Sequence, residues 1–391
     1  MAGYTPAVLR AMATPAQSVP ESRPRPHFVH VFPSFGVGGV PLRMARVINH
    51  FGARLRHTVI SLDDNLEAAQ SFAGDLDVRL MAAGRVRRGL VRTLVESAAA
   101  LRRLRPDLLI TYNWGAIEWA MANRLRPVAR HMHFEAGFGK EEADSQLPHR
   151  VMFRRWALAR CVKVVVPSRV LEDFAHRVWK LPAEQIAYIP NGVDVGRFAD
   201  PVRDDIGGFI RRPGELVVGT VAPLRREKNI GRLLRVFASL DPSLPARLVI
   251  AGDGAERQTL ARLAVEFGVS ERVIFTGRVA PEAVLGTFDI FALSSDTEQM
   301  PNALLEAMAA SRAVAAVDVG DVKSILCEDN RHFVAARDDE PAFAAALSRL
   351  LRDPAKRIEL GRRNRERVVA AFSQARMFTA YSLIFGLNDG A

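Results

Sequence analysis

From residue 27 onward, short apolar runs alternate with amphipathic helical stretches, and that alternation leaves few folds open. In the first half, residues 28–32, 58–62, 78–80, 107–111 and 162–168 read as strands. In the second, residues 216–221, 248–251, 273–279 and 289–293 repeat the pattern. Strands separated by helices pair in parallel, and a parallel sheet needs a helix layer on each face. The fold class expected is therefore α/β, with two Rossmann-like units. In such sheets ligands sit beyond the C-terminal ends of the strands. The 391 residues suffice for two full cores.

The strand ends carry the candidate chemistry. After 289–293 comes the polar loop Ser294-Ser295-Asp296-Thr297-Glu298-Gln299-Met300. Pro301 stands where a helix begins, since a proline in the first turn loses no needed N–H. Leu304, Leu305 and Met308 give that helix a buried face. The free N–H groups of its first turn, around Met300, Pro301, Asn302, Ala303 and Leu304, would cradle a phosphate. Glu298 and Glu306 flank the cradle and could accept hydrogen bonds from sugar and ribose hydroxyls. Taken alone, two glutamates eight apart are more simply a solvated loop residue and an exposed helix residue. Glu306 lies among Leu304, Leu305, Ala307 and Met308, which argues for burial, where an unpaired carboxylate is costly.

Gly38 and Gly39 lie in the loop from the first strand to a helix, and let a backbone approach a ligand closely. The spacing is not G-x-G-x-x-G and no acidic residue follows at the right distance, so a nicotinamide site is disfavoured. Supporting chemistry and merely turning the chain are equal readings of this loop. Arg225, Arg226 and Lys228 follow the strand 216–221. A guanidinium fork and an ammonium suit a diphosphate, and a solvated loop is the plainer alternative for the two arginines. His133 and Glu135 end another strand, where His133 either orients a sugar hydroxyl or bonds to backbone. Asp75-Leu76-Asp77 has the D-x-D spelling of metal-dependent transferases, yet leads into a strand with no other ligand residue nearby. It is read as coincidence, and no metal or cofactor is expected.

Charge divides unevenly. Of the formal net +11, +10 falls in residues 1–200 and +1 in residues 201–391. The excess gathers at Arg85, Arg87, Arg88 and Arg92 and continues to Arg102, Arg103 and Arg105. An anionic membrane would attract such a patch by about 1 kcal/mol per basic residue; a solvated helix face is an equal reading. No nucleic-acid partner is expected. Cys161 and Cys327 cannot build a disulfide framework. Residues 1–26 lack the apolar core of a signal peptide, and no run reaches the roughly 20 apolar residues of a membrane span. The expectation is a cytoplasmic protein, with peripheral contact at the inner membrane face as its one extension.

These motifs, in this order over residues 27–385, resemble glycosyltransferase family 4, the retaining enzymes of the GT-B fold. Glu298 and Glu306 match its E-x7-E signature, and Glu227-Lys228-Asn229 its Glu-Lys-Asn. Ile189-Pro190-Asn191-Gly192-Val193-Asp194, with Phe198, matches its I-P-N-G-V-D…F segment. The resemblance implies a GT-B architecture, two Rossmann-like domains facing each other across a cleft. Its parts would be a disordered tail (1–26), an acceptor domain (27–185), a donor domain (186–372) and a C-terminal helix (373–391). Through Met377, Phe378 and Tyr381 that helix would pack back on the first domain. The resemblance also implies that Glu298 contacts the donor sugar, Glu306 the ribose, and Gly38-Gly39 the diphosphate. Backbone at Arg278-Val279 would face the base, and His133 would line the cleft near the transferred sugar. Three stretches depart from the pattern, the first being Gly38-Gly39-Val40 where Gly-Gly-Ala-Glu is frequent. Gln299 stands where glycine is usual, and Ala222-Pro223-Leu224 replaces Gly-Arg-Leu, which leaves Arg225 to supply that cation from two residues away.

The reaction implied is metal-independent transfer of a sugar, with retention, by a hexosyltransferase-type enzyme. His133, Lys228 and Glu298 are the catalytic candidates. The donor would be a UDP- or GDP-sugar, and the acceptor a carbohydrate or lipid-linked glycan of bacterial polysaccharide synthesis. No carboxylate pair is read as bracketing the bond in the manner of a glycoside hydrolase, so front-face attack assisted by the leaving phosphate is expected. Two alternatives stand beside it. One is a nucleotide-sugar epimerase of the same architecture; the other is a non-enzymatic protein that binds anions or membrane and has a degenerate donor site.

Overall fold

The computed structural model describes residues 25–84, 89–138, 142, 146–198, 205–206 and 209–387. The tail expected to be disordered therefore lies, up to residue 24, outside the described residues, as do Arg85, Arg87 and Arg88.

The first domain is a seven-stranded parallel sheet in the order β3-β2-β1-β4-β5-β6-β7. Its strands are β1 (His27–Phe32), β2 (Arg56–Ser61), β3 (Val78–Ala82), β4 (Leu108–Tyr112), β5 (Arg130–Phe134), β6 (Lys163–Val166) and β7 (Ile186–Tyr188). Its helices are α1 (Gly39–Phe51), α2 (Leu90–Leu104), α3 (Ile117–Leu125), α4 (Pro148–Leu158) and the short α5 (Arg169–Asp173). Every residue of β1 and β4 is buried, as a central strand covered on both faces requires.

A two-stranded antiparallel hairpin, β8 (Asp205–Ile206) with β9 (Phe209–Ile210), precedes the second domain. That domain holds six strands, ordered β12-β11-β10-β13-β14-β15. They are β10 (Leu216–Val221), β11 (Ala246–Ala251), β12 (Val273–Gly277), β13 (Ile290–Leu293), β14 (Ala313–Val317) and β15 (Val334–Ala335). Around them lie α6 (Ile230–Ala238), α7 (Arg257–Glu266), α8 (Pro281–Val284), α9 (Asn302–Ala309), α10 (Val322–Ile325), α11 (Glu340–Arg352) and α12 (Pro354–Ala371). The last helix, α13 (Gln374–Phe385), leaves this domain and buries Met377 and Tyr381 in the core of the first, with Phe378 stacked 4.0 Å from His50. The architecture is GT-B.

The boundary expected at residue 186 shifts. Ile186, Ala187 and Tyr188 pair with Val164, Val165 and Val166, so they complete the first sheet. The chain crosses only after them and returns beside its own path. Val193 N–H donates to Phe372 (2.9 Å) and Gln374 N–H to Val193 (2.9 Å). At both crossovers the two passes therefore share one seam.

The first core also contains a histidine cluster. His30 bonds to the Tyr112 hydroxyl (2.9 Å) and to His57 (3.0 Å), and His27 to the Thr58 hydroxyl (2.8 Å). Burial lowers the pKa of His27, His30 and His57, with His57 reaching about 4. Burial beside His133 takes His131 to about 3. These imidazoles fold neutral, while the unfolded chain takes up protons below about 6.5. Stability is thus fully present above pH 6.5 and is lost as pH falls toward 4. His57 alone should cost roughly 3 kcal/mol over that window. Urea unfolding at pH 7 and pH 4.5 should show the drop, and His57→Gln should make it shallower; an unchanged urea midpoint would refute this.

Candidate active site

In each sheet the order reverses beside a central strand, between β1 and β4 in the first and between β10 and β13 in the second. A crevice opens at such a reversal, past the strand ends. The loops leaving β1, β10 and β13 meet there across one cavity of about 510 Å³. Its walls carry Gly38, Gly39 and Arg43 from the first domain and Arg225, Glu227, Lys228 and Glu298 from the second, with Met300, Pro301, Asn302 and Ala303 at the start of α9.

Lys228 ends a short 3-10 turn, and Asn229 follows with a left-handed backbone (φ 41°), its side chain capping α6 by accepting from Arg232 N–H (3.0 Å). Asparagine tolerates that conformation better than most residues. Asn229 also donates to Asp296 (2.9 Å), which is paired with the buried Arg232 (2.9 Å). Ser294 donates to the carbonyl of Lys228 (3.1 Å). The loops after β10 and β13 are thereby tied into one unit. Within it Lys228 Nζ and Glu298 Oε1 stand 2.5 Å apart, and Ser295 Oγ donates to the same oxygen (2.7 Å).

Gly320 supports the loop from below. It has φ +54°, and a Cβ there would fall 2.1 Å from the Glu298 carbonyl oxygen. Glycine is the residue that allows both.

Gln299, in place of the family's glycine, reaches the other domain. Its Oε1 accepts from Ser168 Oγ (3.1 Å), and its backbone carbonyl accepts from Asp321 N–H (3.1 Å). Asp321 in turn accepts from the N–H groups of Arg169 (2.7 Å) and Val170 (3.2 Å), capping α5 of the first domain from the second.

The structure brings Gly38, Gly39, Arg225, Lys228, Glu298, Met300, Pro301, Asn302 and Ala303 to one cavity. Pro301 is the residue before α9, which begins at Asn302. Arg225 lines the cavity beside Pro223, the position where the family pattern has arginine. Five expected residues lie elsewhere among the described residues. His133 is fully buried, with its Nδ1 bonded to the Thr111 hydroxyl (2.8 Å), because β5 turns its side chain into the domain instead of the cleft. Leu304 belongs to the second core, as an apolar residue on the inner face of α9 does. Arg278 is exposed beyond β12, and Val279 packs against the core. Glu306 is off the cavity wall. Burial raises its pKa, while the charges of Arg46 and Arg197 act to lower it.

Arg43 escaped sequence reasoning, which places Asn191 and Glu227 in motifs but not on the cavity they line. Arg43 lies one turn beyond Gly39 on the same face of α1, a spacing that could have marked it. Glu227 and Glu298 both stand on the second domain's wall, so they do not bracket a bond from opposite sides. No group of His, Cys, Asp or Glu suited to a metal occurs among the described residues.

Comparison with known proteins fits this geometry. Residues 37–197 match the description Glycosyltransferase Family 4, and residues 205–367 match Glycosyl transferases group 1. The chain is 30% identical over 282 residues to the lipopolysaccharide core biosynthesis glycosyltransferase LpsE of Rhizobium meliloti, covering 72% of this chain and 76% of that one. It is 26% identical to N-acetyl-alpha-D-glucosaminyl L-malate synthase of Bacillus anthracis, covering 44% of this chain and 45% of that one. Among solved structures, sucrose-phosphate synthase from Thermosynechococcus elongatus superposes with a TM-score of 0.76 at 22% identity, over 92% of this chain and 98% of that one. Anabaena Alr3699/HepE, solved with UDP, gives 0.75 at 15% identity, over 92% and 99%. At these identities the structures speak to the fold alone.

Proposed function

The chain belongs to glycosyltransferase family 4, and from that membership we propose that it moves a sugar from a nucleoside-diphosphate donor to an acceptor hydroxyl, with retention and without a metal ion. One observation carries the reading: Lys228, Arg225 and the starts of α1 and α9 converge on a single cavity between the domains. An ammonium, a guanidinium and two helix N-termini make an anion site that would stabilise the charge developing on a leaving diphosphate. Glu298, pre-aligned by Lys228 and Ser295, would accept a hydrogen bond from a sugar hydroxyl. On the retained face the bond from the sugar carbon to phosphate breaks as the acceptor oxygen bonds to that carbon. The acceptor's proton passes to the departing phosphate oxygen.

A UDP-sugar heads the list of donors to test, the structural neighbour HepE being solved with UDP. The lipopolysaccharide role named for LpsE favours a lipid-linked glycan as acceptor. Thermal unfolding with UDP, GDP and ADP and their common sugar conjugates, all in EDTA, tests donor class and metal independence together. A ligand at 100 times its Kd should add about 2.7 kcal/mol. Silence across the panel would overturn the proposal in favour of a binding protein. Sugar turnover without acceptor would favour an epimerase.

A lipid-linked acceptor also gives the basic first domain a use. No described helix is long and apolar enough to cross a membrane. The outer face of α2, α3 and α4 exposes Val91, Val95, Leu125, Met152 and Trp156, with Arg92, Arg102 and Arg103 on α2 and Arg105 just past its end. Apolar side chains rimmed by arginine suit an anionic membrane surface. The protein should sediment with phosphatidylglycerol vesicles and not with phosphatidylcholine, and Trp156→Glu should release it. Equal recovery with both lipids would refute the contact.

A further inference from the structure

Three arginines lie almost wholly inside the described protein, and two are neutralised. Arg154 faces Glu142 and Glu135, and Arg232 faces Asp296. Arg43 differs. It is 7% exposed, and no described carboxylate pairs with it. Its Nη1 donates to a neutral acceptor, Asn191 Oδ1, and its buried Nε has no partner. A buried guanidinium without a counter-charge is costly, and folds tolerate it where an anion arrives from outside.

The surroundings say which anion. Arg43 borders the interdomain cavity, one turn into α1, whose first turn contains no acidic residue and whose start has no side-chain cap. Across the cavity stand Lys228 and Arg225. Asn191, which holds the guanidinium, also donates to the Met300 carbonyl (3.1 Å) and to Asn302 Oδ1 (2.8 Å) at the head of α9. The one cation that the first domain brings to this wall among the described residues is thus tied to the second domain's phosphate-facing helix.

We propose that Arg43 is a substrate-binding residue of the transferase, taking an oxygen of the terminal phosphoryl group of the nucleoside diphosphate from the side opposite Lys228. The inference rests on the function proposed above. A phosphate carried by the acceptor has the same chemistry, and the experiment separates the two sources.

Calorimetric titration of wild type, Arg43→Met and Arg43→Lys with UDP and with UMP makes the test. UMP lacks the terminal phosphoryl group, so it reports the rest of the nucleotide site. Arg43→Met should weaken UDP about ten- to hundredfold, with UMP affinity unchanged, and Arg43→Lys should recover part of the loss. Should Arg43→Met fail to fold, Arg43→Lys and Arg43→Gln carry the same comparison. Equal losses for UDP and UMP would mean a merely structural role and would overturn the inference. So would unchanged UDP affinity, and a raised acceptor KM in that case would assign the arginine to an acceptor phosphate. If GDP or ADP is the nucleotide that stabilises the wild type, that diphosphate and its monophosphate replace UDP and UMP. Wild type that binds no nucleoside diphosphate overturns the function proposed above and this inference with it. Wild type that binds while the variants bind equally well overturns this inference alone.

Discussion

Lys228→Ala should lower kcat/KM about 10²- to 10³-fold, the loss seen when one preorganised donor to a developing negative charge is removed. Two consequences of the geometry make it the most damaging single change in the cavity. The leaving diphosphate loses its ammonium. Glu298, which stands 2.5 Å from Lys228 Nζ, is also left as a half-buried carboxylate held, among the described residues, by Ser295 alone. The fall should lie mainly in kcat, because the charge met by the ammonium grows on the way to the transition state. Lys228→Arg keeps the charge and should recover part of the rate, whereas Glu298→Gln should weaken the hold on the sugar. Steady-state kinetics on the best donor of the nucleotide panel decide the matter. A Lys228→Ala enzyme with wild-type kcat would remove Lys228 from the mechanism.

Arg154→Met should destabilise the first domain by about 3–5 kcal/mol. Arg154 is 0% exposed and donates twice to Glu142 (2.9 Å each) and once to Glu135 (3.3 Å). Its guanidinium carbon lies 5.0 Å from the ring centre of Trp114 and 5.4 Å from that of Trp179. Removing the cation strands the buried Glu135 and leaves Glu142 to Arg150 (3.3 Å), and that poorly compensated charge, not the loss of attraction, sets the size of the effect. The triple variant Arg154→Met, Glu135→Gln, Glu142→Gln should therefore be more stable than Arg154→Met alone, although it has lost more ion pairs. Urea unfolding followed by tryptophan fluorescence would report both. A triple variant as unstable as the single one would show that packing, and not stranded charge, makes the network necessary.

Much of the site was legible because its loops follow strands directly. Lys228 closes the loop after β10 and Glu298 the loop after β13, and neighbouring parallel strands bring their loops together at one end of a sheet. Glu306 and His133 show the limit of that reasoning. Glu306 stands in the helix after a strand and His133 near the end of one, yet the first lies off the cavity wall and the second bonds to Thr111 inside the sheet layer. Position in sequence places a residue at a strand end; it does not give the direction of its side chain. Gln299 shows the same limit from the other side. A departure from the family's glycine became intelligible only as a bond to Ser168, 131 residues away in sequence.

By itself the sequence determined the two parallel sheets, the loops at their C-terminal ends and the cationic and carboxylate groups those loops carry. It could do so because hydrophobic period and turn residues act over a few neighbouring positions. Only the tertiary structure decided where the chain leaves the first sheet, which strand-end side chains face the cleft, and that Arg43 joins the site through Asn191, 148 residues on. These depend on how the two domains are set against each other, an arrangement held by contacts such as Asp321 on the start of α5. No local pattern along the chain encodes it.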